Sequence, residues 1–315
     1  MRIVLSGTGS RLAGKTLTND DLSKMVDTSD EWISTRTGIR ERHVITEEES
    51  MVSLAGAAAR EALADAGITG EELGLIVVGT STADKRLPST ACELQPILGA
   101  KDCICMDVSS ACSGFVYSLS VAYSMMHSLG IRYAMVVGGD VVSREMDWKD
   151  RTTCVLFGDA AGAAVLKAEE GEGTSGILSF DLGADGYKGQ ALYDNSYGEE
   201  RLIHMDGQAV FKFALRRVPV SIQKVMERAG VTKEQVDLFV LHQANLRILD
   251  AVSKKLEIPS EKIPHNLERT GNTSAGSVPL LLDELIKKGR IKKGDLLVLS
   301  GFGAGLTWGS AVVRV

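Results

Sequence analysis

A repeat inside the chain limits its fold more than any other feature. Residues 66–81 read AGITGEELGLIVVGTS and residues 229–244 read AGVTKEQVDLFVLHQA; at a shift of 163 positions, six of the sixteen are identical. Each copy reads as a helix end, a turn and an apolar strand. A shift of 162 lays AMVVGG (134–139) on LLVLSG (296–301), and SSACSG (109–114) on GNTSAG (271–276). Three matches in chain order at nearly one offset mark a duplicated α/β unit. The halves are expected at 1–170 and 171–315, with the Glu/Gly-rich run at 168–176 as the link.

Within each half, strand and helix patterns alternate, as a mostly parallel sheet requires. Apolar runs predict strands at 75–79, 103–108, 134–138, 238–241 and 296–300, with helices at 50–66, 112–129, 208–228, 245–256 and 277–288. Pro219 is expected to kink or interrupt the third of these helices. Ligand sites of α/β sheets lie beyond the carboxyl ends of strands. The loops 109–114, 242–247, 271–276 and 300–305 occupy such places, and a pseudo-twofold between the halves would bring them to one cleft.

Composition removes several function classes. A formal net charge of -6 argues against non-specific nucleic-acid binding, which needs a basic footprint. No stretch approaches the roughly 18 apolar residues of a membrane span, and the apolar run at Ile3–Leu5 is too short for a signal peptide. The five cysteines, Cys92, Cys103, Cys105, Cys112 and Cys154, are odd in number and fit no zinc spacing. A reducing cytoplasm with free thiols is the expectation.

Three polar residues sit where chemistry is easily done. Cys112 follows a strand and opens an apolar helix, where the helix dipole and free N–H groups favour a thiolate. A buried structural cysteine is the commoner fate of a free thiol. His242 ends the run Leu238–Leu241, and Asn272 stands in Gly271-Asn272-Thr273-Ser274 before another helix, where a turn or cap role is the plain alternative. Together they are a thiol, an imidazole and an amide on loops at one end of a duplicated sheet. Gly301-Phe302-Gly303-Ala304-Gly305 can offer N–H groups to an oxyanion. Gly7-Thr8-Gly9 lacks the third glycine of a dinucleotide fingerprint. Lys212, Arg216 and Arg217 fall on one helical face, and Arg247, Lys254 and Lys255 on another helix. These basic residues form either a solvated face or a docking patch for an acidic partner.

Long motifs along the whole chain resemble the β-ketoacyl-acyl-carrier-protein synthase III family, the initiating condensing enzymes of bacterial fatty acid synthesis within the thiolase-like superfamily. They are Asp27-Thr28-Ser29-Asp30-Glu31-Trp32, Arg36-Thr37-Gly38-Ile39-Arg40, Ala111-Cys112-Ser113-Gly114, Phe157-Gly158-Asp159-Ala160, His242-Gln243-Ala244-Asn245, Gly271-Asn272-Thr273-Ser274 and Thr307-Trp308-Gly309-Ser310. The resemblance implies a thiolase-like five-layered αβαβα fold of two duplicated halves, and a homodimer. It implies Cys112 as nucleophile with His242 and Asn272, and oxyanion N–H groups from Cys112 and Ala304. It implies that Trp32 and Arg151 flank a coenzyme A adenine, with Arg36 near the phosphates and Gly207 and Asn245 along the pantetheine arm. Lys212, Arg247, Lys254 and Lys255 would face the acyl carrier protein.

Leu87 stands where the family often has an aromatic residue closing the acyl pocket from the partner subunit. Ala304 stands for a glycine; it keeps the N–H but resists φ > 0. The implied reaction is decarboxylative condensation of an acyl-CoA primer with malonyl-acyl-carrier-protein. Acyl-CoA is a substrate, and no metal or cofactor is called for. A same-fold enzyme of a secondary-metabolite pathway, acylating another acceptor, is the alternative. A papain-like hydrolase shares the chain order Cys, His, Asn but has no place for a duplication.

Overall fold

The computed structural model describes residues 1–194 and 202–315. The first half forms a five-stranded sheet from β1 (Arg2–Leu12), β2 (Leu75–Gly79), β3 (Ile104–Val108), β4 (Tyr133–Asp140) and β5 (Ala160–Glu169), in the order β1-β5-β4-β2-β3. The second half forms a four-stranded sheet from β6 (Gly176–Ala184), β7 (Leu238–Leu241), β8 (Leu296–Gly303) and β9 (Thr307–Arg314), in the order β7-β8-β9-β6. β2 runs parallel to β3 and β4, and β7 parallel to β8; the remaining pairs in both sheets are antiparallel.

Period-two burial shows how the layers form. Leu75, Val77, Ala134 and Val136 face one way and pack with Leu238, Val240, Leu297 and Leu299 of the other sheet. Between the two sheets lie the apolar faces of Gly114–Leu129 and Ser277–Lys287, through Phe115, Leu119, Met126, Leu281 and Leu285. Ile76, Val78, Met135 and Val137 face outward onto the helices Met51–Ala66 and Thr90–Leu98. Phe239, Leu241, Leu296 and Val298 face outward onto Gly207–Ala229 and Leu246–Leu256. The result is helix, sheet, helix, sheet, helix: the five layers expected. Among the described residues no helix is long and apolar enough to cross a membrane.

The repeat has a single offset. Leu75 pairs with Ala134 in the first sheet, and Leu238 pairs with Leu297 in the second, so both strands shift by 163. The same offset carries the 3-10 turn Ala111–Ser113 onto Ser274–Gly276, and the non-glycine residue at positive φ in each, Ala111 (φ 43) onto Ser274 (φ 50). The shift of 162 expected for 134–139 and 109–114 is therefore one residue short, and Cys112 corresponds to Ala275. Contacts between the halves obey the same relation. A Cβ on Gly138 would lie 2.4 Å from the Ala275 carbonyl oxygen, and one on Gly301 would lie 2.9 Å from that of Cys112. Each half thus presses a strand glycine against the turn of the other.

Three expectations need correction. Asn272 does not follow a strand: among the described residues the second sheet has no counterpart of β3, and the short helix Leu267–Thr270 leads into the loop instead. Backbone bonds hold that loop, from Asn272 N–H to the Leu156 carbonyl (2.8 Å) and from Gly158 N–H to that of Asn272 (2.9 Å). Pro219 does not interrupt its helix, which runs unbroken over Gly207–Ala229. A proline leaves the carbonyl four residues earlier without its helical donor; here that carbonyl is Leu215, and Lys255 Nζ donates to it at 2.9 Å. Arg217 does not share a solvated face with Lys212 and Arg216. It is half-buried, with its guanidinium 4.7 Å from the centroid of the Trp308 ring.

Candidate active site

Cys112, His242 and Asn272 line one cavity of about 420 Å³, with Phe302 and Gly303 beside them. Cys112 is in the 3-10 turn ahead of the helix that starts at Gly114, so the helix begins two residues later than expected. Its side chain is buried. Burial pushes the thiol up to about 12, the Ser274 hydroxyl contact working the other way. Desolvation is the largest influence on the thiol and opposes the thiolate that the helix position favours. A Cβ on Gly303 would stand 2.9 Å from the Cys112 backbone nitrogen and 3.2 Å from its sulfur, so only a glycine fits there.

His242 lies just past the end of β7, and its N–H donates to the Ser300 carbonyl on β8 at 2.8 Å. The ring is buried, edge-on to Phe302 with centroids 5.2 Å apart. Burial lowers its pKa to about 3, so the imidazole is neutral at physiological pH. Its Nδ1 has no hydrogen-bond partner among the described residues. Gln243 fixes the loop, donating from Nε2 to the Leu241 carbonyl at 2.8 Å and accepting from Asn266 N–H at 3.2 Å. The Asn272 Oδ1 accepts from Ser274 N–H at 2.9 Å. That bond fixes the amide's orientation and leaves Nδ2 as the donor end. A buried thiol, a neutral imidazole and an oriented amide suit capture of an acyl group on sulfur and donation of hydrogen bonds to a second carbonyl oxygen.

The cavity's outer part is cationic and aromatic. Trp32 has the Arg36 guanidinium 4.6 Å and the Arg151 guanidinium 5.2 Å from its ring centroid. Arg151 also donates to the Asp27 carbonyl at 2.9 Å. Gly207 starts a helix capped by Asp206, which accepts from Gln208 and Ala209 N–H groups. Asn245 caps the next helix by accepting from Arg247 N–H at 2.9 Å. Trp32, Arg36, Arg151, Gly207, Asn245 and Arg247 all border the cavity. Lys212, Lys254 and Lys255 are exposed on the two outer helices and do not border it. Arg247 donates to the Thr35 carbonyl at 3.2 Å, and Lys255 is engaged with Leu215.

A second cavity, of about 340 Å³, also reaches Cys112, with Ser81, Val142, Phe157, Leu192, Ile203 and Ala304 in its wall. Cys112, Phe157 and Leu192 border both cavities. The positive φ of the glycine loop falls on Gly305 (φ 125) and not on Ala304, so alanine is accommodated without the conformational cost expected for it. The Ala304 carbonyl accepts from Thr307 Oγ1 at 2.9 Å. Leu87 borders neither cavity and is 84% exposed. The sequence reading missed Asp140, buried beside this cavity, whose carboxylate accepts from Thr80, Ser81, Thr82 and Ala275. It also gave no separate role to Ser274, whose Oγ is 3.4 Å from the Cys112 sulfur.

Comparison with known proteins places the chain in a family. The sequence family described as 3-oxoacyl-[acyl-carrier-protein (ACP)] synthase III matches residues 106–186, and its C-terminal part matches residues 226–315. A β-ketoacyl-[acyl-carrier-protein] synthase III of Xanthomonas euvesicatoria is 49% identical, over 98% of this chain and 97% of its own. The chain belongs to the β-ketoacyl-acyl-carrier-protein synthase III family. A synthase III of Bacillus anthracis is 45% identical over all of this chain and 99% of its own. The crystal structure of 3-oxoacyl-[acyl-carrier-protein] synthase III from Aquifex aeolicus superposes with a TM-score of 0.95 at 45% identity, covering 99% of this chain and 100% of that one. The thiolase-like fold, the condensing-enzyme class and a part in initiating fatty acid synthesis come with membership. Full-length identity of this order favours that reading over a secondary-metabolite enzyme.

Proposed function

We propose that Cys112 is the acyl-accepting nucleophile of a decarboxylative condensation between an acyl-CoA primer and malonyl-acyl-carrier-protein. The observation that carries this reading is one cavity bordered by Cys112, His242 and Asn272 at its depth and by Trp32, Arg36 and Arg151 at its mouth. The adenine of coenzyme A stacks at Trp32 and Arg151, Arg36 meets its phosphates, and the pantetheine arm passes Gly207 and Asn245. The sulfur attacks the thioester carbonyl, and the N–H groups of Cys112 and Ala304 receive the oxyanion. Coenzyme A leaves and the acyl chain turns into the second cavity.

Malonyl-acyl-carrier-protein then enters by the same mouth, its carrier resting on Lys212, Arg247 and Lys254. Lys255 joins this face as a charge while its ammonium holds Leu215. Loss of carbon dioxide places negative charge on the thioester oxygen. Neutral His242 and Asn272 Nδ2 donate to that oxygen, and their contribution is greatest in the transition state. The enolate carbon attacks the acyl-cysteine and releases β-ketoacyl-acyl-carrier-protein. In a homodimer, Leu87 of each subunit lines the partner's acyl cavity; its 84% exposure in the single chain is in keeping with this.

The test is intact-mass analysis after incubation with straight and branched acyl-CoAs, with Cys112→Ala alongside. An acyl adduct dependent on Cys112 is expected. A folded protein that takes no adduct from any primer overturns the reading.

A further inference from the structure

We propose that the Ser274 hydroxyl is a catalytic group, donating a hydrogen bond to the Cys112 sulfur while that sulfur carries negative charge. The inference rests on Cys112 being the nucleophile and adds a residue to its chemistry. Ser274 Oγ stands 3.4 Å from Cys112 Sγ, and both side chains are buried. At rest either atom can be the donor. A thiolate has no proton, so in the charged state the hydroxyl has to donate.

The placement of this hydroxyl is specific. Ser274 is held at φ 50, a conformation that suits glycine or asparagine better than serine. Its backbone N–H donates to Asn272 Oδ1, so the residue joins the nucleophile to the oriented amide. At the corresponding place in the first half, Ala111 has the same conformation and no polar side chain. The duplication therefore supplies the turn in both halves, and only the second copy carries a hydroxyl onto the sulfur.

The need for such a donor is electrostatic. Asp140 faces the sulfur from the end of β4 and disfavours negative charge on it. His242, buried and neutral, borders the first cavity, and Glu145 and Asp194 border the second. The cationic side chains Arg36, Arg151 and Arg247 are at the mouth of the first cavity. In the acyl-transfer step the S–H bond breaks, sulfur forms a bond to the acyl carbon, and the bond from that carbon to the coenzyme A sulfur breaks. The proton leaves on coenzyme A as its thiol. Charge sits on the Cys112 sulfur only until the thioester forms; a thioester sulfur is a weak acceptor, so the hydroxyl favours the transient over the product.

The test compares wild type with Ser274→Ala and Ser274→Gly. Both variants lose the hydroxyl, and they differ in how easily the backbone takes a positive φ. Cys112 alkylation by iodoacetamide is followed by intact mass across pH, together with acyl-enzyme formation from acetyl-CoA and malonyl decarboxylation without primer. Alkylation at pH 7 is expected to slow about tenfold in both variants, one unit on the pH axis. Acyl-enzyme formation should slow by a similar factor. Decarboxylation is the control for the Asn272 amide: a loss there as large as the loss in alkylation overturns the proposal, because it assigns the effect to a displaced Asn272. An unchanged alkylation profile overturns the proposal, and so does a large difference between the Ala and Gly variants, which would assign the effect to the backbone. Alkylation needs no acyl-CoA, so a failure of the nucleophile assignment would show separately, as a wild-type protein that alkylates but never acylates.

Discussion

Gly303→Ala tests how tightly the second half clamps the nucleophile. The added methyl would stand 2.9 Å from both the backbone nitrogen and the Cβ of Cys112, and 3.2 Å from its sulfur. Ordinary contact begins near 3.4 Å, so the overlap is about 0.5 Å and involves rigid atoms that no rotamer change can move. Gly303 is not at positive φ, so the alanine backbone itself is unstrained. Over-packing of this kind costs about 1–3 kcal/mol, and the thermal midpoint should fall by several degrees. Displacement of reacting atoms by about 1 Å can cost ~100-fold in rate. Half that displacement should cost roughly tenfold in acylation. The assay is the rate of Cys112 acyl-adduct formation by intact mass at saturating acetyl-CoA, on protein whose fold is checked by circular dichroism. An acylation rate within twofold of wild type would refute the clamp, since the methyl would then have been accommodated without moving the sulfur.

Three further outcomes follow from the same structure. His242 binds a proton only near pH 3, whereas in the unfolded chain it does so near 6.5. Between those values the unfolded state binds more protons, so stability rises with pH and is lost on acidification, by about 2 kcal/mol at pH 5; urea midpoints at pH 7.5 and 5 should converge less in wild type than in His242→Gln. Lys255→Met removes the donor to the Leu215 carbonyl left open by Pro219 and should lower stability by about 1 kcal/mol, read as a lower urea midpoint at unchanged slope. Lys254→Glu should raise KM for malonyl-acyl-carrier-protein several-fold at low salt and leave Cys112 acylation unchanged; a KM that does not move would remove Lys254 from the docking face.

The parts of the fold that were legible in the sequence are those where local pattern and tertiary environment agree. β2 and β7 are apolar on both faces because helices cover both sides of their sheets, and an uninterrupted apolar run is the direct signature of that burial. β5 was not visible: AAGAAVLKAE is rich in residues with little strand preference, and its conformation is imposed by β1 and β4 on either side. The one-residue error in the repeat offset has a related cause. Runs such as AMVVGG and LLVLSG match almost equally well at neighbouring shifts, and only inter-strand pairing fixes the register.

Cys112, His242 and Asn272 could be picked out because each stands in a loop beside the start of a helix or the end of a strand, where a polar residue interrupts an apolar pattern. Ser274 and Asp140 could not. The Cys112 partner of Ser274 is 162 positions away and meets it only when the two halves pack; Asp140 is met by Thr80, Ser81 and Thr82, 58 to 60 positions away in its own half, and by Ala275, 135 positions away in the other. Pro219 misled for the reverse reason: its local rule held, but a lysine from a neighbouring helix supplied the missing donor.

Cys112 borders both chambers. On the proposed assignment the primer's chain is stored in one of them while the outer passage is vacated for the next guest. Coenzyme A and the carrier's arm then compete for a single passage, so free coenzyme A should inhibit by exclusion, competitively with malonyl-acyl-carrier-protein and at the acyl-enzyme stage. A molecule long enough to occupy both chambers would meet them vacant only in the free enzyme, so it should compete with the acyl-CoA primer and not bind the acyl-enzyme.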